Sequence, residues 1–145
     1  MDSKGWVSNH DGNLSLKLSQ KKTFLVTPTA RSKVDLTEPD LISIDIEGKV
    51  IEGKGKPFSE WAYHKSVFMG REDVQAVIHA HPPGATAVGC ANQEMLTWAV
   101  PEAVVSLGPG VPLVGLGLPQ SQESLSEFEC LLPHYDAVMV GAGTL

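Results

Sequence analysis

The sequence predicts a single α/β domain in which helices are layered on a mixed sheet. Several short segments alternate apolar and polar residues, as strands with one buried face do. Single helical segments lie between these strand pairs and after them. The chain has 145 residues and is 42% hydrophobic, which suits one globular domain with one core.

The first half of the chain carries most of the strand signals. Strands are predicted at 13–18, 23–27, 41–46 and 49–51. Residues 19–22 would turn between the first two strands, and Glu47-Gly48 predicts a tight hairpin between the last two. Pro28 lacks an N–H group and therefore ends the second strand.

Helices and further strands follow in alternation. Ser59 is the predicted N-cap of a helix from Glu60 to about Met69, and a strand over 74–81 comes next. The Pro-Pro-Gly at 82–84 stops that strand, and a helix over 85–92 is expected after it. Residues 101–120, rich in Gly and Pro, predict short strands and loops.

The C-terminal part predicts one helix and one strand. Residues 121–132 place Leu125, Phe128 and Leu131 on one face of an amphipathic helix, and 137–140 form a final strand. The chain then stops after a strand that no helix covers. We therefore expect a truncated chain, or a face covered by a neighbouring subunit.

Composition excludes several classes of function. A net charge of -6 and a pI near 5.3 exclude a nucleic-acid or anionic-membrane surface. The longest apolar stretch, 103–118, is broken by Gly and Pro and cannot span a membrane. Cys90 and Cys130 are expected to be buried, reduced thiols. Because the first twelve residues lack the apolar core of a signal peptide, we expect a cytoplasmic protein.

The sharpest chemical signal is the pair of histidines at the end of the predicted strand 74–81. Side chains on a strand alternate with period two, so His79 and His81 project from the same face, as a metal chelate requires. Neutral imidazoles suit Zn²⁺ and related divalent ions. Two unrelated polar residues at a strand end would give the same pattern, so this pattern alone leaves the metal site open.

Glu60 adds a carboxylate at the start of the predicted helix 60–69. The helix dipole favours a carboxylate there, which is the plain structural explanation. His64 lies one turn further on the same helix face and is expected to be exposed or hydrogen-bonded rather than a ligand. Two histidines and a carboxylate around a divalent ion support either proton abstraction beside a polarised carbonyl or hydrolysis by an activated water.

A resemblance to a known family, carried by four segments in the same order along the chain, favours proton abstraction over hydrolysis. The four segments are Asp11–Ser15 (DGNLS), Val26–Thr29 (VTPT), Phe58–Trp61 (FSEW) and Ala76–His81 (AVIHAH). Together they resemble the class II aldolase/adducin family, along nearly the whole chain. The resemblance implies a three-layer α/β/α sandwich with a central mixed, mostly antiparallel sheet. It also implies a tetramer with sites between subunits.

The resemblance implies a role for each matching residue. His79 and His81 would bind zinc, or another divalent ion such as Mn²⁺ or Co²⁺. Glu60 would be the acid/base that forms a metal-bound enediolate, which makes or breaks a C–C bond of a sugar phosphate or related hydroxy-carbonyl compound. The residues lining the phosphate pocket would be Asn13, Thr29 and Ser59.

The chain departs from the family pattern at several positions. Ala142 stands where the third zinc histidine is usual, Ala30 where a glycine is usual, and Phe58 where a small hydroxylated residue is frequent. The family's N-terminal helix and C-terminal helices are also missing from the expected domain over 1–145. The alternative is therefore a catalytically inactive, adducin-like interaction domain or a truncated homologue.

Overall fold

The computed structural model describes residues 1–18, 22–115 and 121–140. The chain divides into two compact units, Met1–Pro82 and Pro83–Leu145. No helix in the described ranges combines the length and the apolarity that a membrane crossing needs.

The first unit is built on a five-stranded sheet. Its strands are β1 (Asn13–Leu18), β2 (Thr23–Val26), β3 (Ile42–Ile44), β4 (Val50–Glu52) and β5 (Ala76–His79). They lie in the order β4-β3-β2-β1-β5, and every neighbouring pair is antiparallel. Strands β1 to β4 therefore form a meander, and β5 returns after a helix to pair with β1.

Helix α1 (Trp61–Gly70) supplies the aromatic half of this unit's core. The Phe24 ring lies 5.1 Å from that of Trp61 and 4.9 Å from that of Phe68, measured between ring centroids. Beneath them Ile42 and Ile44 are fully buried. Because apolar side chains alternate along β2 and β3, both strands present them to the same side, and the helix covers that side.

The opposite face of the sheet is partly open. Leu16 on β1 is 42% exposed and Ile78 on β5 is 63% exposed. These residues alternate with Asn13, Ser15, Val77 and His79, which turn toward the α1 side. The first unit thus buries one sheet face much more completely than the other.

The second unit contains three helices and two small sheets within the described ranges. Its elements are α2 (Pro83–Cys90), β6 (Met95–Leu96), α3 (Pro101–Leu107), β7 (Gly110–Val111), β8 (Leu113–Val114), α4 (Gln122–Leu131) and β9 (Met139–Val140). Strands β6 and β7 pair antiparallel, whereas β8 and β9 pair parallel. The Ser121 side chain caps α4 by accepting a hydrogen bond from the Ser124 backbone N–H at 3.2 Å.

The α/β class and most of the predicted elements are confirmed. Three expectations are wrong, apart from the bounds of individual strands. Helix α3 was predicted as loop or strand. Glu60, not Ser59, is the N-cap of α1, and the Tyr63 backbone N–H bonds to its carbonyl oxygen. The two cysteines are free but exposed rather than buried. Most of the turn predicted at 19–22, and Ala142, lie outside the described residues.

Candidate active site

One end of the five-stranded sheet collects the predicted site residues. Because neighbouring strands are antiparallel, the start of β1 and the ends of β2 and β5 lie at the same end. Asn13, the first residue of β1, is directly opposite His79, the last residue of β5. Glu60 reaches this end from the N-terminus of α1.

Asn13 contacts both Glu60 and His79. Its Nδ2 amide donates to Glu60 Oε2 at 3.2 Å and lies 3.3 Å from His79 Nδ1. Asn13 is 4% exposed, whereas Glu60 and His79 are half-buried, so the contacts lie at the edge of the interior. The structure therefore brings Glu60 and His79, which lie on different elements, together through one shared amide.

His81 lies beside His79 although the strand ends before it. Strand β5 stops at His79, two residues short of the predicted end. The two imidazole rings nevertheless have centroids 4.8 Å apart. The His81 backbone N–H donates to the Trp6 carbonyl oxygen at 2.8 Å, which holds this segment in place.

Gly12 lets the preceding loop approach the His79 backbone. Its φ is +69°, and a Cβ atom there would come within 2.8 Å of the His79 carbonyl oxygen and 2.5 Å of Val7 Cγ1. A residue with a side chain would therefore be strained and would clash. This glycine keeps the loop that carries Asp11 close to the end of β5.

The histidine pair can supply two of the ligands that a divalent ion needs. Burial lowers the pKa of His79, and the neighbouring His81 lowers it further, against the opposing effect of Glu60 and Asp11. A neutral imidazole is the form that binds a metal, and two adjacent imidazoles are common zinc ligands. Within the described ranges no third His, Cys, Asp or Glu lies close enough to complete the set.

His64 lies behind the site and is a packed, hydrogen-bonded residue, as expected for it. It is 2% exposed, and its Nδ1 atom is 2.6 Å from Ser15 Oγ on β1. Its ring centroid lies 4.7 Å from that of Phe58. Burial, followed by the nearby His79, lowers the pKa of His64 to about 3.

The other residues predicted for the phosphate pocket are at the surface. The side chains of Thr29 and Ser59 are both exposed. Thr29 is held by its backbone, whose N–H donates to the Lys56 carbonyl oxygen at 2.9 Å. Phe58, by contrast, is 6% exposed and belongs to the aromatic core. The common role of Asn13, Thr29 and Ser59 in binding a phosphate stays a prediction.

Two charged residues of this end were missed from the sequence, namely Asp11 and Lys33. The negative charge of Asp11 acts to raise the pKa of both His79 and Lys33. Glu60 also acts to raise the pKa of Lys33. Asp11 could have been found, since it opens the segment that contains Asn13. Lys33 belongs to a loop without periodicity, and no pattern points to it.

The comparisons with known proteins identify the family of the chain and structures that share its fold. A model of the class II aldolase and adducin N-terminal domain family matches residues 1–141. A 5-methylthioribulose-1-phosphate/5-deoxyribulose-1-phosphate aldolase of Rhodospirillum rubrum is 39% identical over 79 residues, which cover 54% of this chain and 34% of that protein. An L-fuculose phosphate aldolase of Methanococcus maripaludis is 34% identical over 102 residues, which cover 69% of this chain and 52% of that protein.

Solved structures extend the similarity to nearly all of the chain. An L-fuculose 1-phosphate aldolase superposes with a TM-score of 0.84 at 26% identity, covering 97% of this chain and 65% of that one. The L-fuculose-1-phosphate aldolase of Thermus thermophilus gives a TM-score of 0.76 at 26% identity, covering 97% of this chain and 69% of that one.

The family model over residues 1–141 and the fold shared with a sugar-phosphate aldolase define the class of protein. The chain belongs to the class II aldolase and adducin N-terminal domain family. It spans between a third and about half of the length of the two curated relatives above.

Proposed function

We propose that the chain is a divalent-metal-dependent, class II aldolase-type lyase. It would cleave or form a C–C bond of a sugar phosphate or a related hydroxy-carbonyl compound. The observation that carries this proposal is the Asn13 amide, which lies 3.2 Å from Glu60 Oε2 and 3.3 Å from His79 Nδ1. A carboxylate base and a metal-ligand histidine are thereby held side by side.

Each residue has a defined part in this chemistry. His79 and His81 would hold the ion, for which zinc suits the imidazole ligands and Mn²⁺ or Co²⁺ are alternatives. When bound, the ion supplies Lewis acidity toward a carbonyl oxygen. Glu60 removes a proton from the carbon next to that carbonyl and returns it in the reverse direction. Asn13, Thr29 and Ser59 would bind the phosphate of the substrate.

The proposal extends to the whole molecule. We propose one domain over 1–145 with a three-layer α/β/α sandwich, because the exposed Leu16 and Ile78 leave apolar area for a second covering layer. We also propose a homo-oligomer, a tetramer by resemblance, because residues 96–105 expose five apolar side chains. A cytoplasmic location accords with two free cysteines.

Metal content is the first test of the site. We expect about one divalent ion per chain after purification without chelator, and loss of that ion in His79→Ala. His134→Ala, which removes an exposed histidine of the second unit, is the matched control and should keep the metal. If the wild-type chain held no ion and bound none on addition, the proposal of a metal-dependent enzyme would be wrong.

Retro-aldol cleavage of sugar phosphates tests the role of Glu60. Removing a general base costs about 100- to 10,000-fold in rate, so Glu60→Gln should lose at least about 100-fold in kcat with the metal still bound. Glu47→Gln, the same change on the hairpin at the far end of the sheet, should leave kcat unaltered. Full activity in Glu60→Gln would exclude this residue as the base.

A second candidate function is a catalytically inactive, adducin-like interaction domain. It is favoured by Ala142, which replaces a usual metal ligand, and by the two-histidine set. Metal binding that disappears in His79→Ala would speak against it. A metal-free chain with no cleavage of any sugar phosphate would support it.

A further inference from the structure

Lys33 is held in an unusual position for a loop lysine. Its Nζ atom donates to the His10 carbonyl oxygen at 3.0 Å and to the Arg31 carbonyl oxygen at 2.9 Å. These acceptors lie on two loops, one before β1 and one after β2, which meet at the same end of the sheet as Asn13. An ammonium group has three donors, so two carbonyl contacts leave one N–H for a further acceptor.

The charge of Lys33 acts on the candidate site. The ammonium group interacts with the carboxylates of Asp11 and Glu60, which raise the pKa of Lys33 against the larger lowering effect of its partial burial. The other cation of this loop, Arg31, is occupied by Asp40 in an ion pair. Lys33 is therefore a positive charge held by two backbone carbonyls, within electrostatic range of the proposed base.

A negatively charged substrate needs a positive charge close to Asp11 and Glu60 in order to bind. Asp11 and Glu60 would repel an oxyanion that approaches the site. The hydroxyl groups of Thr29 and Ser59 are neutral donors, and neutral hydrogen bonds are about half as strong as charge-assisted ones. A lysine whose position is set by two backbone carbonyls can offset the repulsion without losing much side-chain freedom on binding.

We propose that Lys33 is a substrate-binding residue that contacts an oxyanion, phosphate or carboxylate, of the substrate of Glu60. This assignment rests on the proposed function and adds to it the cation that the predicted pocket of Asn13, Thr29 and Ser59 does not contain. Lys33 also ties the two loops together, so its role as a ligand and its role as a clamp must be separated experimentally.

The test is a titration of the 15N-labelled full chain with inorganic phosphate, at low ionic strength and in the presence of a chelator, followed by amide chemical shifts. Removing a charge-assisted contact should weaken phosphate binding about tenfold or more in Lys33→Met. Lys33→Arg should retain most of the affinity. Lys49→Met, which removes the same charge from an exposed site at the opposite end of the sheet, should change the affinity less than about twofold.

Acetate is titrated in parallel to identify the oxyanion. Phosphate binding that depends on Lys33, with acetate much weaker, supports the proposal and assigns a phosphate. Equal dependence for acetate supports it and assigns a carboxylate. Unchanged phosphate affinity in a folded Lys33→Met overturns the proposal. An equal loss of affinity in Lys33→Met and Lys33→Arg also overturns the proposal. Such a result would mean that Lys33 only orders the two loops, a role that a positive charge alone does not restore.

Steady-state kinetics separate this proposal from the proposed function. With a phosphorylated sugar as substrate, Lys33→Met should raise KM about tenfold and change kcat little, whereas for the unphosphorylated sugar KM should stay as in the wild type. If Glu60→Gln abolished cleavage while Lys33→Met left KM unaltered, only the Lys33 assignment would fail. If Glu60→Gln had no effect, the proposed function would fail, while the phosphate titration would still decide on Lys33.

Discussion

Ala30 carries a backbone conformation that favours glycine. Its φ is +55°, in the left-handed region, where a Cβ atom costs about 1–2 kcal/mol. The neighbouring Thr29 is fixed by its bond to the Lys56 carbonyl oxygen, and Pro28 pairs with Pro57 in an isolated bridge. The loop geometry is therefore imposed by its surroundings, and Ala30 accommodates it.

We expect Ala30→Gly to stabilise the folded chain. The substitution removes the strain but makes the unfolded chain more flexible, so the net gain should be about 0.5–1 kcal/mol. Urea unfolding at neutral pH measures it. The matched control is Ala87→Gly in the exposed face of helix α2, which should destabilise the chain by about 1 kcal/mol. Equal destabilisation by both changes would show that Ala30 is not strained.

Individual residues of the candidate site could be predicted from the sequence only where a local pattern marks them. The pair of His79 and His81 could be predicted from the strand pattern that leads into it, although the strand itself ends at His79. Glu60 could be found because its neighbours in sequence mark the start of a helix. Lys33 could not, because its position depends on carbonyl groups of two loops that only the folded sheet brings together.

Helix α1 is attached to the sheet by a polar contact as well as by aromatic packing. His64 Nδ1 lies 2.6 Å from Ser15 Oγ, and its other ring nitrogen, Nε2, is buried with no hydrogen-bond partner in the described part of the chain. A proton added to this ring would place a charge in a buried environment without a compensating acceptor. The neutral imidazole is therefore part of the fold.

This arrangement predicts acid sensitivity. The pKa of His64 is about 3 in the folded chain against a usual value of 6.5, so the unfolded chain binds the proton more readily between these two values. The stability contributed by the neutral ring is fully present above about pH 6.5 and is lost as the pH falls toward 3. Between about pH 6.5 and 4.5 the free energy of unfolding should drop by about 2–3 kcal/mol from this residue.

His64→Gln should flatten this dependence, since the amide can still contact Ser15 but does not titrate. The measurement is urea unfolding of both chains at several pH values from about 7.5 to 4.5. The pKa of His79 is also lowered, so His79 adds a loss of stability at low pH with the same sign. His79 is present in both the wild type and His64→Gln, so the difference between their pH dependences comes from His64. His134→Gln serves as the exposed control. Identical slopes for wild type and His64→Gln would contradict the prediction.

The elements of the chain were predictable to different degrees. The alternation in 13–18 and 41–46 identified β1 and β3, because one buried face leaves a period of two in the sequence. Helix α3 was missed, since Pro101 and Gly108 at its two ends made the segment resemble a loop. Those residues start and stop the helix, with Pro101 in its first turn and Gly108 as its C-cap.

At the scale of the whole molecule, residues 96–105 form an exposed apolar stretch in the second unit. Its exposed side chains are Leu96, Trp98, Val100, Val104 and Val105, the last with 88% exposure. Single exposed apolar residues are normal on a protein surface. Several large ones within one short stretch form a patch of the kind that marks an interaction site. A second copy of the chain, as proposed above, would bury them.

Val105→Lys should therefore shift the protein toward smaller assemblies. A charge at the centre of a buried contact is costly, whereas the monomer tolerates it at an exposed position. Light scattering after size exclusion, over a range of protein concentrations, gives the assembly state. Ser106→Lys adds the same charge at the next exposed position of α3 without removing apolar area and should have a smaller effect. An unaltered mass in Val105→Lys would place the contact elsewhere.

The α/β class was predictable for the molecule as a whole, whereas the burial of single residues was not. Cys90 and Cys130 were expected inside because cysteine is usually buried, yet both are exposed. Each lies at the C-terminal end of a helix, and which side of a helix faces the core is decided by its neighbours in space. Composition carries no information on that choice.

The pairing of β1 with β5 also bears on how the chain is made. Asn13 cannot pair with His79 until the ribosome has added the 66 residues that lead to it. At about 5–20 residues per second, that interval lasts roughly 3–13 s. During it the β1 edge of the sheet is unpaired, and such an edge is the kind of surface that associates with other nascent chains. A histidine pair that exists only once β5 has docked would make metal uptake a late event, confined to chains that have completed this sheet.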